Sequence, residues 1–218
     1  MMQREDIIHS LKELEAEGDI EILKIARNSV SVYDYQDGKE ITYTFKRSKT
    51  SLAKHIHISE KIPAKYRPNK EKVIQYLLAL PEDVLLTLND VWFLWDFDDY
   101  DDMVDYYDAD SAYAADLYDD RILGRMWFEQ NAALIDVQNI VNSALEIEKQ
   151  DIALGLYGYA DMDIKEQTAL TLVHEIRHIM MDTNIILPED EYPIHLASEF
   201  DVEDFARSWV EENGWNLY

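Results

Sequence analysis

Residues 171–180 read TLVHEIRHIM, and their centre is His174-Glu175-Ile176-Arg177-His178. On an α-helix, positions four apart lie one above the other on one face. His174 and His178 would therefore present two imidazoles side by side, with Glu175 projecting beside them. Ala169, Leu172, Val173, Ile176 and Met180 form a separate apolar stripe, suited to docking the helix on a core. The alternative is an ordinary amphipathic helix that carries histidines. One position departs from the usual form of such a motif: Arg177 puts a charge where the middle residues are uncharged, and an arginine can snorkel to solvent.

The rest of the chain bounds what this helix can do. At 218 residues, 47% hydrophobic and 11% aromatic, it has material for a real core. It has no cysteine, which excludes disulfides, thiolate metal sites and cysteine nucleophiles. No N-terminal apolar core of signal-peptide length is present, and no apolar run reaches the ~18 residues of a membrane span. The expectation is a soluble cytoplasmic protein. The net charge is −25, and it is uneven. Residues 1–70 hold 13 Lys+Arg against 11 Asp+Glu, so residues 71–218 hold the remaining 7 against 34, or −27. A surface this acidic repels phosphates, which argues against direct nucleic-acid binding.

Apolar Ile7, Ile8, Leu11 and Leu14 have helical spacing and stop at Gly18. Three β-rich runs follow, at 20–26, 29–35 and 40–46, the last two joined across QDGK, where Asp37-Gly38 is a hairpin signal. A fourth extended run, KHIHIS (54–59), precedes Pro63 and Pro68. Residues 1–66 thus read as a small helix-plus-meander unit of unassigned role, joined to residues 67–218 at KYRPNK. Beyond it, 70–80 and 82–95 read as two apolar helices around Pro81. The segment 96–120 carries 11 aspartates and 5 tyrosines. A strand is expected at 133–137, and helices at 140–158, 164–181 and 193–213. The fold class is α+β.

A divalent ion, above all zinc, takes neutral imidazole readily. Glu175 would then stand where it can accept a proton from water acidified by the metal. A catalytic zinc needs a third protein ligand. No histidine has the close downstream spacing, but Glu199 lies 21 positions after His178 in ASEFDVEDFARSW. Glu203, one turn further, could accept the free ring N–H of a ligand histidine. Glu199 and Glu203 share a helix face with Val202, Ala206 and Val210, while Asp201 points roughly 160° from Glu203.

His-Glu-x-x-His followed about twenty residues later by Glu-x-x-x-Glu resembles the gluzincin class of zinc metallopeptidases. The segment Glu-Phe-Asp-Val-Glu-Asp-Phe-Ala (199–206) is similar to the signature of small ImmA/IrrE-type bacterial peptidases, which act in the cytoplasm on repressor proteins. The resemblance runs from the strand near Ile135 to Trp209. It implies a minimal zincin-like domain within 67–218, a small sheet with an edge strand plus catalytic helices. It also implies His174 and His178 as zinc ligands and Glu175 as general base. The two families disagree on the third ligand. Gluzincin spacing selects Glu199 with Glu203 behind it; the ImmA/IrrE register selects Asp201. Glu199 is favoured, because Ser198-x-x-Asp201 has the form of a helix capping box. In zincins an edge strand precedes the catalytic helix and can add an extended peptide to the sheet, and AALIDVQN (132–139) occupies that place.

Other signals are weaker. His195 and Tyr192 are candidates for stabilising the oxyanion of a tetrahedral intermediate. His55 and His57 share a strand face but have no acid nearby in sequence. The aspartates of DFDDYDD lack the Gly and terminal Glu of a calcium-binding EF-hand loop. The segment reads as a solvated acidic face, a mimic of the DNA phosphate rail, or a flap favouring basic substrates. The expected function is zinc-dependent cleavage of a peptide or protein substrate, such as a basic DNA-binding protein. The alternative is an acidic DNA-mimic, anti-repressor or anti-restriction binding protein whose zinc site is not catalytic.

Overall fold

A computed structural model describes residues 4–25, 29–44, 49–110, 112–119, 121–153, 160–183 and 198–218. The chain is α+β and divides into two compact units, 1–48 and 49–218. No helix among the described residues is long and apolar enough to cross a membrane.

In the first unit, helix α1 (Arg4–Glu17) precedes strands β1 (Ile20–Ile25), β2 (Ser29–Asp34) and β3 (Lys39–Thr44), an antiparallel meander in the order β1-β2-β3. Gly18 ends the helix at φ +85°, and Gly38 closes the β2–β3 turn at φ +63°, both in the left-handed region that favours glycine. The Asp34 carboxylate accepts the Gln36 and Asp37 N–H groups and tightens that turn. Leu11, Ile20, Val30 and Val32 are buried, which is the alternation a one-sided sheet requires.

The second unit begins earlier than the sequence reading placed it, at 49 and not at 67. Helix α2 (Lys49–Lys54) leads into β4 (Ile56–Ile58), and β4 pairs with β5 (Asp90–Leu94), not with the meander. KYRPNK is part of this unit. The Arg67 guanidinium donates to the Ile62 and Glu60 carbonyls, and the Asn69 N–H donates to Leu217 O. Asn69 also caps helix α3 (Lys70–Leu77).

Helix α4 (Glu82–Thr87) is short, and β5 follows where the sequence reading continued a helix to residue 95. Asp90–Leu94 is buried at every position. A strand covered on both faces shows no alternation, so its apolar run cannot be told from a buried helix by period alone. Helices α5 (Phe97–Tyr106) and α6 (Ala112–Leu117) give the acidic segment its structure. Strands β6 (Gly124–Trp127) and β7 (Ala132–Asp136), then helices α7 (Val137–Ala153), α8 (Ala160–Asp182) and α9 (Glu199–Asn213), complete the chain.

The sheet order is β4-β5-β7-β6, with β4, β5 and β7 parallel and β6 antiparallel at the edge. One face meets α3, α4, α7, α8 and α9 through Val91, Phe93, Ala133 and Ile135. The other meets α5 and α6 through Trp92, Leu94 and Leu134. The strand at 132–136, expected from the sequence to be the edge strand, is therefore interior, and the edge beside α8 is β6. Four residues are too few to display a period.

Candidate metal centre

Helix α8 docks by the expected stripe: Ala169, Leu172, Val173, Ile176 and Met180 have almost no exposed surface. This fixes the rotation of the helix and turns His174 and His178, half-buried, toward the start of α9. Their Nε2 atoms are 3.1 Å apart. Glu199 Oε2 lies 3.5 Å from His174 Nε2 and 3.6 Å from His178 Nε2. A tetrahedral ion with bonds of ~2.0–2.1 Å holds its donors roughly 3.3–3.4 Å apart, so the triangle is of the right size. Among the described residues this is the one group of three or more His, Cys, Asp or Glu that converges closely enough to hold a metal ion. Two imidazoles and a carboxylate suit a borderline divalent cation. Burial, then the neighbouring His174 ring, lowers the His178 pKa, with Glu199 opposing. The neutral ring that a metal requires is thereby favoured.

Helix α9 starts at Glu199 because Ser198 caps it. The Ser198 hydroxyl accepts the Asp201 N–H, and the Asp201 carboxylate accepts the Ser198 N–H at 2.5 Å, a full capping box. Asp201 is thus used at the cap, while Glu199, 76% exposed, reaches the histidines. Val202, Ala206 and Val210 are buried and lay this face of α9 against the core. Glu203 Oε2 stands 3.5 Å from His174 Nδ1, on the side of the ring away from Glu199, and Glu203 Oε1 accepts from Arg207 at 2.6 Å.

Glu175 is only 6% exposed. Burial above all, then the charge of Glu199, raises its pKa to about 8, against the opposing Met126 N–H and Arg125. Arg177 does not snorkel to solvent. It is 5% exposed, and its guanidinium lies 4.4 Å from the centre of the Phe205 ring on α9. A cation–π contact of this kind joins α8 to α9.

Strand β6 reaches the site through its backbone. Asp136 N–H donates to Leu123 O, and in an antiparallel register of Gly124↔Ile135 and Met126↔Ala133 hydrogen-bonded pairs alternate with open ones. Gly124 and Met126 therefore direct their main-chain groups away from β7, and the Met126 N–H donates to the Glu175 carboxylate.

Tyr192 and His195 lie outside the described residues. His55 and His57 do have an acid, which the sequence reading missed because it comes from another strand. His55 Nδ1 and His57 Nε2 both contact Asp90 Oδ1, at 3.2 and 3.0 Å. Asp90 Oδ2 accepts from the Tyr107 hydroxyl, and His57 stacks on Trp92 at 3.8 Å. One carboxylate oxygen serves both rings, so this is a hydrogen-bonded cluster. Comparisons with protein-family models, with curated proteins and with solved structures give no match.

Proposed function

We propose that the chain is a zinc-dependent peptidase, with His174, His178 and Glu199 as the metal ligands. The observation that supports this reading most is the buried Glu175, held by the edge strand immediately beside a triangle of donors of zinc-binding dimensions. A bound zinc ion supplies Lewis acidity, which acidifies water and polarises a carbonyl. Glu175 takes the proton of the attacking water and passes it to the leaving amine. Glu203, behind His174, orients that ring. The outward carbonyls of Gly124 and Met126 offer acceptors to the N–H groups of an extended peptide laid along β6. The acidity of residues 71–218 favours basic substrates, a basic regulatory protein among them.

The test is hydrolysis of a peptide library by the zinc-loaded protein. Cleavage by the wild type, lost in Glu175→Gln with zinc retained, supports the reading. Equal cleavage by both would overturn it.

A second reading is supported by α5. Tyr100, Met103 and Val104 are buried, while Asp98, Asp101, Asp102 and Asp105 are exposed, so the helix presents a row of carboxylates. That row suits an acidic mimic that binds a basic DNA-binding protein, with a metal site that does no chemistry. Such binding is salt-sensitive and survives a chelator, whereas peptidase activity does not.

A further inference from the structure

Resting on the peptidase reading, we propose that β6 positions Glu175, and that Gly124 is the residue that makes this possible. Gly124 is not at a positive φ, so its backbone does not call for glycine. The space beside it does. A Cβ at Gly124 would lie 2.4 Å from Thr171 Cγ2, 3.0 Å from Glu175 Oε1 and 3.1 Å from Glu175 Cγ. Thr171 and Glu175 are one turn apart on the same buried face of α8. The first of these contacts is far inside van der Waals range and involves a side chain locked in the core, so any substituent at 124 forces β6 away from α8. Two residues along the same open edge, the Met126 N–H donates to the Glu175 carboxylate. A hydrogen bond of this kind weakens steeply as its partners separate. The missing Cβ therefore sets the strand–helix spacing, and the spacing sets whether the carboxylate is held.

A packing role and a positioning role for Gly124 predict different things. Packing alone predicts lost stability, with the surviving folded molecules fully competent. Positioning predicts that folded, zinc-loaded Gly124→Ala loses the Met126–Glu175 bond and the chemical step, while substrate binding is kept. The double variant Gly124→Ala with Thr171→Ser removes the methyl that the new Cβ meets, and is the internal rescue.

The experiment uses the full chain loaded with zinc and reads three quantities: bound zinc, hydrogen exchange at the Met126 amide, and kcat with KM. Expected for Gly124→Ala are one equivalent of zinc, exchange at Met126 faster by roughly tenfold or more, and kcat lower by roughly tenfold or more at unchanged KM. Thr171→Ser added to it should recover most of both losses. Unchanged Met126 exchange and kcat in Gly124→Ala, or no recovery in the double variant, would overturn the proposal. If Gly124→Ala does not fold, an amide-to-ester replacement at Met126 removes the N–H, and the same replacement at Trp127, which lies beyond the contact with Glu175, controls for the weakened ester carbonyl. The same fall in kcat supports the proposal, and wild-type kcat rejects it. Absence of any zinc-dependent hydrolysis in the wild type defeats the peptidase reading instead, and Met126 exchange still decides whether β6 holds Glu175.

Discussion

Glu175, buried on α8 next to His174 in the chain, and Glu203, beside His174 Nδ1, should fail in different ways. Glu175→Gln removes a base and no ligand, so zinc should stay at one equivalent while kcat falls by roughly 10²–10⁴-fold. A variant that loses zinc and activity together would mean that Glu175 is a ligand or a structural group. Glu203→Ala leaves the His174 Nδ1 side of the ring without its acid. Zinc affinity, read by competition with a chelator, should weaken by roughly 10–100-fold, and unchanged affinity would remove Glu203 from the site. At this scale the sequence was informative wherever the helical period carried the signal. His174, His178, Glu199 and Glu203 fall into place because residues four apart share a face. Arg177 was misread, because its burial depends on Phe205 from another helix. Asp90 and Met126 were invisible for the same reason: each is brought to its partner by a strand distant in the chain.

At the scale of the element, the start of α9 carries Glu199, the proposed third ligand. Ser198 and Asp201 close the capping box around Glu199. Ser198→Ala should cost about 1 kcal/mol of stability, and zinc affinity should fall with it, because the first turn fixes where Glu199 points. Loss of stability without loss of affinity would show that α9 is held by its apolar face alone. The capping box was legible as Ser-x-x-Asp, and α8 as a long apolar period. Strand β5 was not, because burial on both faces erases the alternation that identifies a strand. Strand β6 was too short to read, and its place at the edge follows only from the pairing of β7 with β5 on its other side. The division between the units was misplaced for a related reason, since the partner of β4 lies more than thirty residues downstream.

Across the whole molecule, charge and burial make opposite demands. Asp136, at the end of β7, is 2% exposed. It accepts from Tyr100 at 3.1 Å and from the Asn139 N–H at 2.8 Å, yet burial outweighs these bonds and raises its pKa from 3.8 to about 6. The folded state therefore binds this proton more tightly than the unfolded state. Its stabilising effect is complete below about pH 4 and is lost as pH rises through 6, a swing on the order of 2–3 kcal/mol. Asp136→Asn should gain on the wild type over that interval in denaturant unfolding at successive pH values. Parallel curves would show that Asp136 does not titrate as its burial implies. The net charge of −25 adds self-repulsion, which salt screens within about 10 Å at 0.1 M. The melting temperature should rise with ionic strength, and a flat or falling response would mean that local ion pairs outweigh the net field.

Metal stoichiometry tests the proposed triangle of His174, His178 and Glu199. Zinc bound per chain should be measured on purified wild type and on His174→Ala, Glu199→Ala and Asp201→Asn after equilibration with limiting free zinc. The predicted result is one equivalent in the wild type and in Asp201→Asn, and loss of zinc in both His174→Ala and Glu199→Ala. One equivalent surviving in His174→Ala or Glu199→Ala, or lost in Asp201→Asn alone, would contradict it.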